Sequence, residues 1–320
     1  MTTRQAIVPF LLAIALAVPA SAQTAGQQTF ASADEAVKAL VAALEAGEKA
    51  GLLAVLGADG EPIVSSGDPV ADKAEKAAFL ADYATKNTLV PGDADTMVLQ
   101  VGADEWPLPI PVVRRNGRWF FDAAAGAQEI VYRRIGRNEL GAMDVCLGVV
   151  AAQQEYASEG RDGQPAGLYA QKLLSDPGRH NGLYWAVAAG EPPSPAGPLL
   201  AKASAESYSF TAGKPTPYHG YIYRLLTAQG PAAPGGAKSY LVDGGMIGGF
   251  AFVAYPAEYR QSGVMTFIVG ADGVLYQKDL GPKTTELARD LKEYNPDSSW
   301  TWTSPPSSAR RRRWTACPTC

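Results

Sequence analysis

The first regular pattern of apolar positions along the chain has helical spacing and lies between residues 32 and 47. Ser32 stands three residues before Glu35, which is the spacing of a capping box at the amino terminus of a helix. The pattern therefore predicts a helix that ends near Gly47 and buries one face. That face consists of Ala36, Leu40, Val41 and Leu44.

A second helical pattern spans residues 72–87, where Phe79, Leu80 and Tyr83 are the apolar positions. The segments that follow are rich in β-branched and aromatic residues and predict strands. Because two helices precede an antiparallel sheet, we expect the first half of the chain to form an α+β domain, at residues 31–132. The predicted strands cover residues 96–102, 106–116 and 118–126.

The strongest hairpin signal in the chain is Asn116-Gly117, between the last two of these strands. Both residue types tolerate the positive φ angles that a tight two-residue connection requires. The signal predicts that the two strands pair directly with each other in antiparallel fashion.

The longest amphipathic pattern lies in the middle of the chain, at residues 139–160, with Glu155 and Glu159 on its more polar side. It predicts a long helix that opens a second α+β domain, at residues 133–295. The first domain should accordingly close between about residues 127 and 137. The apolar face of the helix consists of Leu140, Met143, Leu147, Val150 and Ala151.

Turns and strands dominate the pattern after this helix. Residues 167–187 predict a short helix broken by Pro177, and residues 189–200 predict a loop rich in proline and glycine. Gly270–Gly273 predicts a turn between two of the strands that follow. An antiparallel meander is expected over residues 219–230, 248–256 and 263–281.

The first residues have the pattern of a cleaved secretory signal peptide. Arg4 precedes an apolar run over residues 6–18, and Ala20-Ser21-Ala22 matches a signal-peptidase site. The run is shorter than the roughly 20 residues that a spanning helix needs. We therefore expect residues 1–22 to be removed and a leader, residues 23–30, to begin a periplasmic or secreted protein without a membrane span. An uncleaved anchor is the alternative.

Charge and composition exclude several classes of function. The net charge of −4 gives no electrostatic basis for binding nucleic acid. The two histidines, His180 and His219, are each flanked by turn residues and predict no metal site or cofactor. Cys146 lies among apolar residues and is expected to be a buried thiol, whereas Cys317 and Cys320 fall in the last four residues.

The second half of the chain shares its pattern with a known kind of globular head. The helix ends in "AAQQEYASEG", the segments "GLYAQKLL" and "GYIYRLL" follow, and "GFAFVAYP" with "GVMTFIVGADGVLYQKDLG" forms the last strands. This order resembles the heads of type IV pilins and pseudopilins, in which half of an amphipathic helix packs on an antiparallel sheet. The resemblance is one of pattern and covers about half of the chain.

Five further segments resemble a second family over nearly the whole mature chain. They are "SGDPVAD" (66–72), "GRWFFDAAAG" (117–126), "RRIGRNEL" (133–140), "SDPGRHNGLYW" (175–185) and "SGVMTFIV" (262–269). The chain is similar in these segments to the secreted bacterial family called domain of unknown function 2950 (DUF2950). This resemblance implies a fold and an exported location, and no agreed activity. The first half is also similar in pattern to the cone-shaped sheet of nuclear-transport-factor-2-like domains.

The end of the chain departs from that family's short acidic or polar ending. Residues 296–320 are expected to form a disordered tail, which is consistent with a native extension or with a shifted reading frame. Cys317 and Cys320 have the Cys-x-x-Cys spacing of redox sites, but no helix follows to lower a thiol pKa. The four residues 310–313 are arginines, which on a loose tail would make weak, salt-sensitive contacts.

The densest polar cluster is "RRIGRNE", where the first domain meets the long helix. In one interpretation Asn138 caps the helix, Glu139 lies at its positive end, and the arginines pair with carboxylates across the domain interface. In the other interpretation the cluster lines a basic cleft for an anionic fragment of the cell wall or of a lipid. The candidate ligand-binding residues are Arg133, Arg134, Arg137, Asn138 and Glu139.

The chain contains no Gly-x-Ser-x-Gly, Ser-x-x-Lys, Walker or Rossmann pattern. Asp68 with Asp72, or Asp243 with Asp279, are the carboxylate pairs that an envelope hydrolase could use, although sequence cannot place them at a working distance. We therefore expect a non-enzymatic interaction or binding module of the cell envelope, with envelope proteins or anionic envelope fragments as partners. A small-ligand-binding protein and a hydrolase are the alternatives.

We predict that the exported protein begins at Gln23, because the short apolar run and its Ala-x-Ala ending specify cleavage after Ala22. Amino-terminal sequencing of the protein purified from the periplasm or medium checks this. A mature protein that begins at Met1 and remains in the inner membrane would contradict it.

Overall fold

The computed structural model describes residues 24–188, 190–211 and 215–305 and has an α+β architecture. Two antiparallel sheets, each with its own hydrophobic core, are joined by one long helix. The predicted signal peptide, residues 1–22, lies outside the described residues. Within those residues no helix has the length and apolar character that crossing a membrane requires.

Among the described residues, four α-helices precede the first strand, where the sequence pattern predicted two. The first matches its prediction, because the Ser32 side chain accepts a hydrogen bond from the Glu35 N–H and Gly47 ends the helix with φ 72°. The fourth begins at Pro69 instead of residue 72, because the Asp68 carboxylate caps it. The helices are α1 (Ala33–Ala46), α2 (Lys49–Leu56), α3 (Glu61–Val64) and α4 (Pro69–Thr85).

The first sheet is antiparallel and has the strand order β1-β2-β4-β5, with β3 paired to β2. Asn116 and Gly117 have φ angles of 50° and 76°, and Arg115 pairs with Arg118 across the turn. The predicted hairpin is therefore confirmed, whereas β1 was not predicted. The strands are β1 (Asn87–Pro91), β2 (Thr96–Val101), β3 (Trp106–Pro107), β4 (Val112–Arg115) and β5 (Arg118–Phe121).

The helix predicted to begin at residue 139 is much longer and begins at Ala123. This helix, α5 (Ala123–Ser158), is capped by Asp122, whose carboxylate accepts a hydrogen bond from the Ala125 N–H. Its first half contributes the buried Ala123 to the first core and packs Ile130 against it. Tertiary packing of this kind stabilises a helix more than its local sequence does, so the charged segment before residue 139 is also helical. The predicted boundary after residue 132 falls inside α5.

The second half of α5 packs on the second sheet, which forms the larger core. Cys146 is fully buried there, as predicted, and burial raises the pKa of its thiol well above the ordinary value. The sheet has the order β15-β13-β12-β11-β6. Its strands are β6 (Tyr221–Leu226), β11 (Ala251–Pro256), β12 (Met265–Gly270), β13 (Leu275–Asp279) and β15 (Thr301–Thr303).

The short elements around this sheet are β7 (Ala228–Gln229), β8 (Lys238–Ser239), β9 (Leu241–Val242), β10 (Gly245–Met246), α7 (Thr284–Asp290) and β14 (Glu293–Tyr294). The helix predicted within residues 167–187 is wrong, because that segment is irregular and its only regular pairings are isolated bridges, between Tyr169 and Met246 and between Leu174 and Tyr184. A helix instead forms where a loop was predicted, at α6 (Gly197–Ala205). Pro198 stands in its first turn, where a missing N–H costs nothing.

The prediction of a disordered tail over residues 296–320 is wrong for the first part of that segment. β15 pairs with β13, and Tyr276 lies opposite Trp302. The second sheet therefore uses residues that the sequence assigned to the tail. Residues 306–320, which include the arginine run and both terminal cysteines, lie outside the described residues.

Candidate functional site at the middle of the long helix

The five candidate residues lie in the middle of α5, and this position corrects the roles that the helix start suggested for two of them. Asn138 caps no helix, because the chain is already helical from Ala123. It is buried, and its Nδ2 donates to the Ser262 carbonyl over 2.9 Å. Ser262 lies between β11 and β12, so Asn138 fastens α5 to the second sheet.

Glu139 likewise does not lie at the positive end of a helix. Its Oε1 accepts hydrogen bonds from the backbone N–H groups of Val264 and Met265, each over 3.0 Å. Burial raises the pKa of the Glu139 carboxyl, and the two hydrogen bonds oppose that shift. Glu139 therefore joins Asn138 in holding the loop that leads into β12.

Arg134 connects the same helix to the first half of the chain. Its side chain is 2% exposed, and its Nη1 and Nη2 donate to the carbonyls of Pro62 and Ile63 over 2.8 and 2.9 Å. These carbonyls belong to the short helix α3, which has no room for a complete internal set of hydrogen bonds. Arg134 thus caps α3 from the side and fixes it to α5.

The other two arginines have carboxylate partners. Arg137 forms an ion pair with Glu75 of α4, and Glu75 Oε2 also lies 3.8 Å from Arg134 Nη2. Burial lowers the pKa of Arg137, and the charge of Glu75 opposes this shift. Arg133 pairs with Glu129 on its own helix. The cluster therefore makes structural contacts with elements of both halves of the chain.

An apolar cavity of about 130 Å³ lies beside Arg134, in the first half of the chain. Its polar rim consists of Asp72, Glu75, Lys76 and Arg134. The Nε of Arg134 and Nη1 of Arg137 are buried and have no hydrogen-bond partner among the described residues. The apolar walls are formed by Leu40, Leu44, Leu52, Leu56, Ile63, Val64, Phe79, Trp106, Leu108, Ile110 and Ile130.

The first predicted carboxylate pair, Asp68 with Asp72, has structural partners. The buried Asp68 caps α4 and also accepts hydrogen bonds from Tyr208 Oη and the Gly220 N–H over 2.8 and 2.9 Å. Asp72 accepts from the backbone and hydroxyl of Ser66. Sequence reasoning missed that Asp68 joins the two halves, although Asp followed by Pro69 is a helix-start signal.

The second carboxylate pair is divided between two parts of the second half. Asp243 lies in the turn between β9 and β10, and Asp279 ends β13, where it accepts hydrogen bonds from Tyr259 Oη and the Gly281 N–H. His180 stacks on Trp185, and His219 pairs with Glu206. Over the described part of the chain, no group of three or more side chains of metal-binding type lies close together.

A family model described as "Protein of unknown function (DUF2950)" matches residues 27–303. The chain belongs to this family. Comparison with curated proteins and with solved structures found no match, so the resemblance to pilin heads stays a prediction.

Segments that carry the DUF2950 resemblance meet at the middle of α5. Asn138 and Glu139 of the 133–140 segment contact Ser262, Val264 and Met265 of the 262–269 segment. The 66–72 segment reaches the same region through Asp68, which binds the Gly220 N–H. These contacts show how segments distant in sequence support one junction.

We predict that Arg134→Ala lowers the free energy of unfolding by about 3 to 5 kcal/mol, because it removes the buried partner of two carbonyls and of Glu75. Arg137→Ala should cost about 1 kcal/mol or less, because its side chain is 35% exposed and solvent screens the pair. Denaturant unfolding monitored by circular dichroism measures both. Arg114→Ala, which breaks an exposed pair with Asp95, is the control. Equal stability of the Arg134 and Arg114 variants would contradict the structural role.

Proposed function

We propose that this DUF2950 protein is an exported, non-catalytic binding module of the bacterial cell envelope, located in the periplasm or secreted after loss of residues 1–22. Its ligand is a short amphiphile that enters the cavity beside Arg134. The observation that carries the proposal is the combination of an apolar cavity, the buried Arg134 side chain in its lining, and an Nε–H of Arg134 that has no acceptor among the described residues. A buried donor without an acceptor is costly, and a ligand oxygen would remove that cost.

The size of the cavity limits the apolar part of the ligand. At about 130 Å³ it is close in volume to an apolar cavity of about 150 Å³ that binds benzene. Its walls are aliphatic and aromatic side chains, which bury the apolar part of a ligand. A chain of about six carbons is therefore the expected occupant, as in the acyl part of an envelope lipid.

The charges around the cavity favour a single negative charge on the ligand. The lining itself has two cations, Lys76 and Arg134, and two carboxylates, Asp72 and Glu75. Arg137, which lies outside the lining and pairs with Glu75, adds a third cation to this set. This set has one more positive than negative charge, which a monocarboxylate would balance. Since Arg134 is already fixed by Pro62 and Ile63, it needs little reorganisation to accept the carboxylate.

We predict that hexanoate binds the purified mature protein and raises its melting temperature at millimolar concentration. Hexanol, which lacks the charge, should bind at least about tenfold more weakly because it makes no ion pair. Calorimetric titration measures both affinities.

Two matched variants test whether hexanoate binds in this cavity. Leu44→Phe should fill the cavity and abolish binding of hexanoate, whereas Leu53→Phe, on α2 and outside the cavity lining, should leave it unchanged. Hexanoate that leaves the melting temperature of the parent unchanged, or that binds both variants equally, would contradict the proposed function.

A further inference from the structure

A second cavity, of about 330 Å³, lies at the carboxyl end of α5 and is separate from the cavity beside Arg134. Its volume falls at the low end of the range for small-ligand sites, about 300 to 1,000 Å³. The walls come from the last turn of α5, the irregular segment after it and the turn between β9 and β10. None of these lining residues takes part in the contacts described for the middle of α5.

Two tight turns form opposite parts of the wall. Asp162 and Gly163 have φ angles of 51° and 77°, and Arg161 exchanges both backbone hydrogen bonds with Gln164 across them. The turn between β9 and β10 has the same form, with φ angles of 49° and 78° at Asp243 and Gly244. Asp-Gly is the residue pair that such turns prefer, so the local sequence specifies the shape of these walls.

The irregular segment is also fastened to α5. The guanidinium of Arg161 lies over the rings of Tyr156 and Trp185, 5.2 and 5.1 Å from their centroids. The buried Gln153 side chain donates to the Ala170 carbonyl and accepts from its N–H, each over 2.8 Å. These anchors hold the cavity open without a ligand, which reduces the conformational entropy that binding would cost.

The charges that line the second cavity cancel. Arg161 lies 3.6 Å from Glu159, and Arg179 lies 3.3 Å from Asp162. The lining thus gives no net attraction for an anion or a cation. Its cations are Arg161, Lys172 and Arg179, and its carboxylates are Glu159, Asp162 and Asp243.

The remaining polar side chains present donors and acceptors next to one another. Gln164, Gln171 and Asn181 contribute amides to the lining, and Tyr169 adds an aromatic ring. The side chains of Gln164 and Asp243 are exposed and make no hydrogen bond to another described residue. Adjacent hydroxyl groups both donate and accept, so they match amides and carboxylates in pairs.

We propose that this second cavity binds an uncharged saccharide, whose hydroxyl groups pair with Gln164, Asn181 and Asp243. The balanced charge excludes a strongly anionic ligand, and the excess of polar side chains excludes a purely apolar one. The partly exposed ring of Tyr169 provides surface for the apolar face of a sugar. Together the two cavities would let one chain contact the acyl and the sugar components of an envelope.

The test uses the mature protein and three neutral probes: N,N′-diacetylchitobiose, maltose and lactose. We expect at least one to shift the NMR resonances of residues around the cavity, with an affinity measured by titration. Asp243→Asn and Gln164→Ala should each weaken that affinity by about fivefold or more, because each removes or weakens a hydrogen bond to the ligand. Asparagine tolerates the positive φ of this turn, so the first variant retains the fold.

Glu286→Gln, on the exposed face of α7, is the matched control and should bind as the parent does. Absence of binding by all three probes, or equal affinity of the three variants, would overturn the proposal. Competition by inorganic phosphate would also overturn it, because it would indicate an anion site. Leu44→Phe should retain saccharide binding while it loses hexanoate, so failure at one cavity is distinguishable from failure at the other.

Discussion

The structure depends on one helix that serves two hydrophobic cores. Residues such as Ala123 and Ile135 of α5 are buried in its first half, and Met143, Cys146 and Val150 belong to the second core. The backbone of α5 is continuous between the residues of the first core and those of the second. The polar segment in the middle of α5 is therefore partly buried. Buried charges are stable only when they are paired and hydrogen-bonded, and this requirement determines the contacts of the junction.

The side chains of the junction meet that requirement by binding backbone groups of other elements. Arg134 satisfies carbonyls of α3, Asn138 satisfies the carbonyl of Ser262, and Glu139 satisfies two N–H groups at the start of β12. Asp68 makes a parallel connection from the start of α4 to Gly220. The two halves are therefore held together by polar contacts of defined geometry. The two proposed binding cavities lie along α5, which contributes Ile130 and Arg134 to the lining of the first and Tyr156 to that of the second.

Local signals explain what the sequence could predict. Ser32 with Glu35, and Asn116 with Gly117, act through neighbours in sequence, so α1 and the first hairpin were predictable. The start of α5 could not be predicted in this way. Its arginines have the pattern of exposed residues as long as the residues that pair with them are unknown. Glu75 becomes their partner only through the tertiary fold.

Other errors have the same origin. Asparagine favours helix caps, but the same amide also binds a distant carbonyl, which is its role at Asn138. Proline in the first turn of α6 looked like a loop signal and was compatible with a helix. The cavity beside Arg134 is lined by residues that the sequence places in different elements, so no local pattern could reveal it.

The central claim, that α5 runs unbroken through the junction, is tested most directly by the stability of Gly136→Ala. A Cβ at Gly136 would meet no atom within 4 Å, so in a continuous helix alanine should raise the free energy of unfolding by about 0.4 to 1 kcal/mol. Gly126→Ala is the contrasting control, because its Cβ would lie 2.4 Å from the Pro109 carbonyl and should destabilise the protein. Denaturant unfolding that shows Gly136→Ala to be less stable than the parent would contradict an unbroken α5.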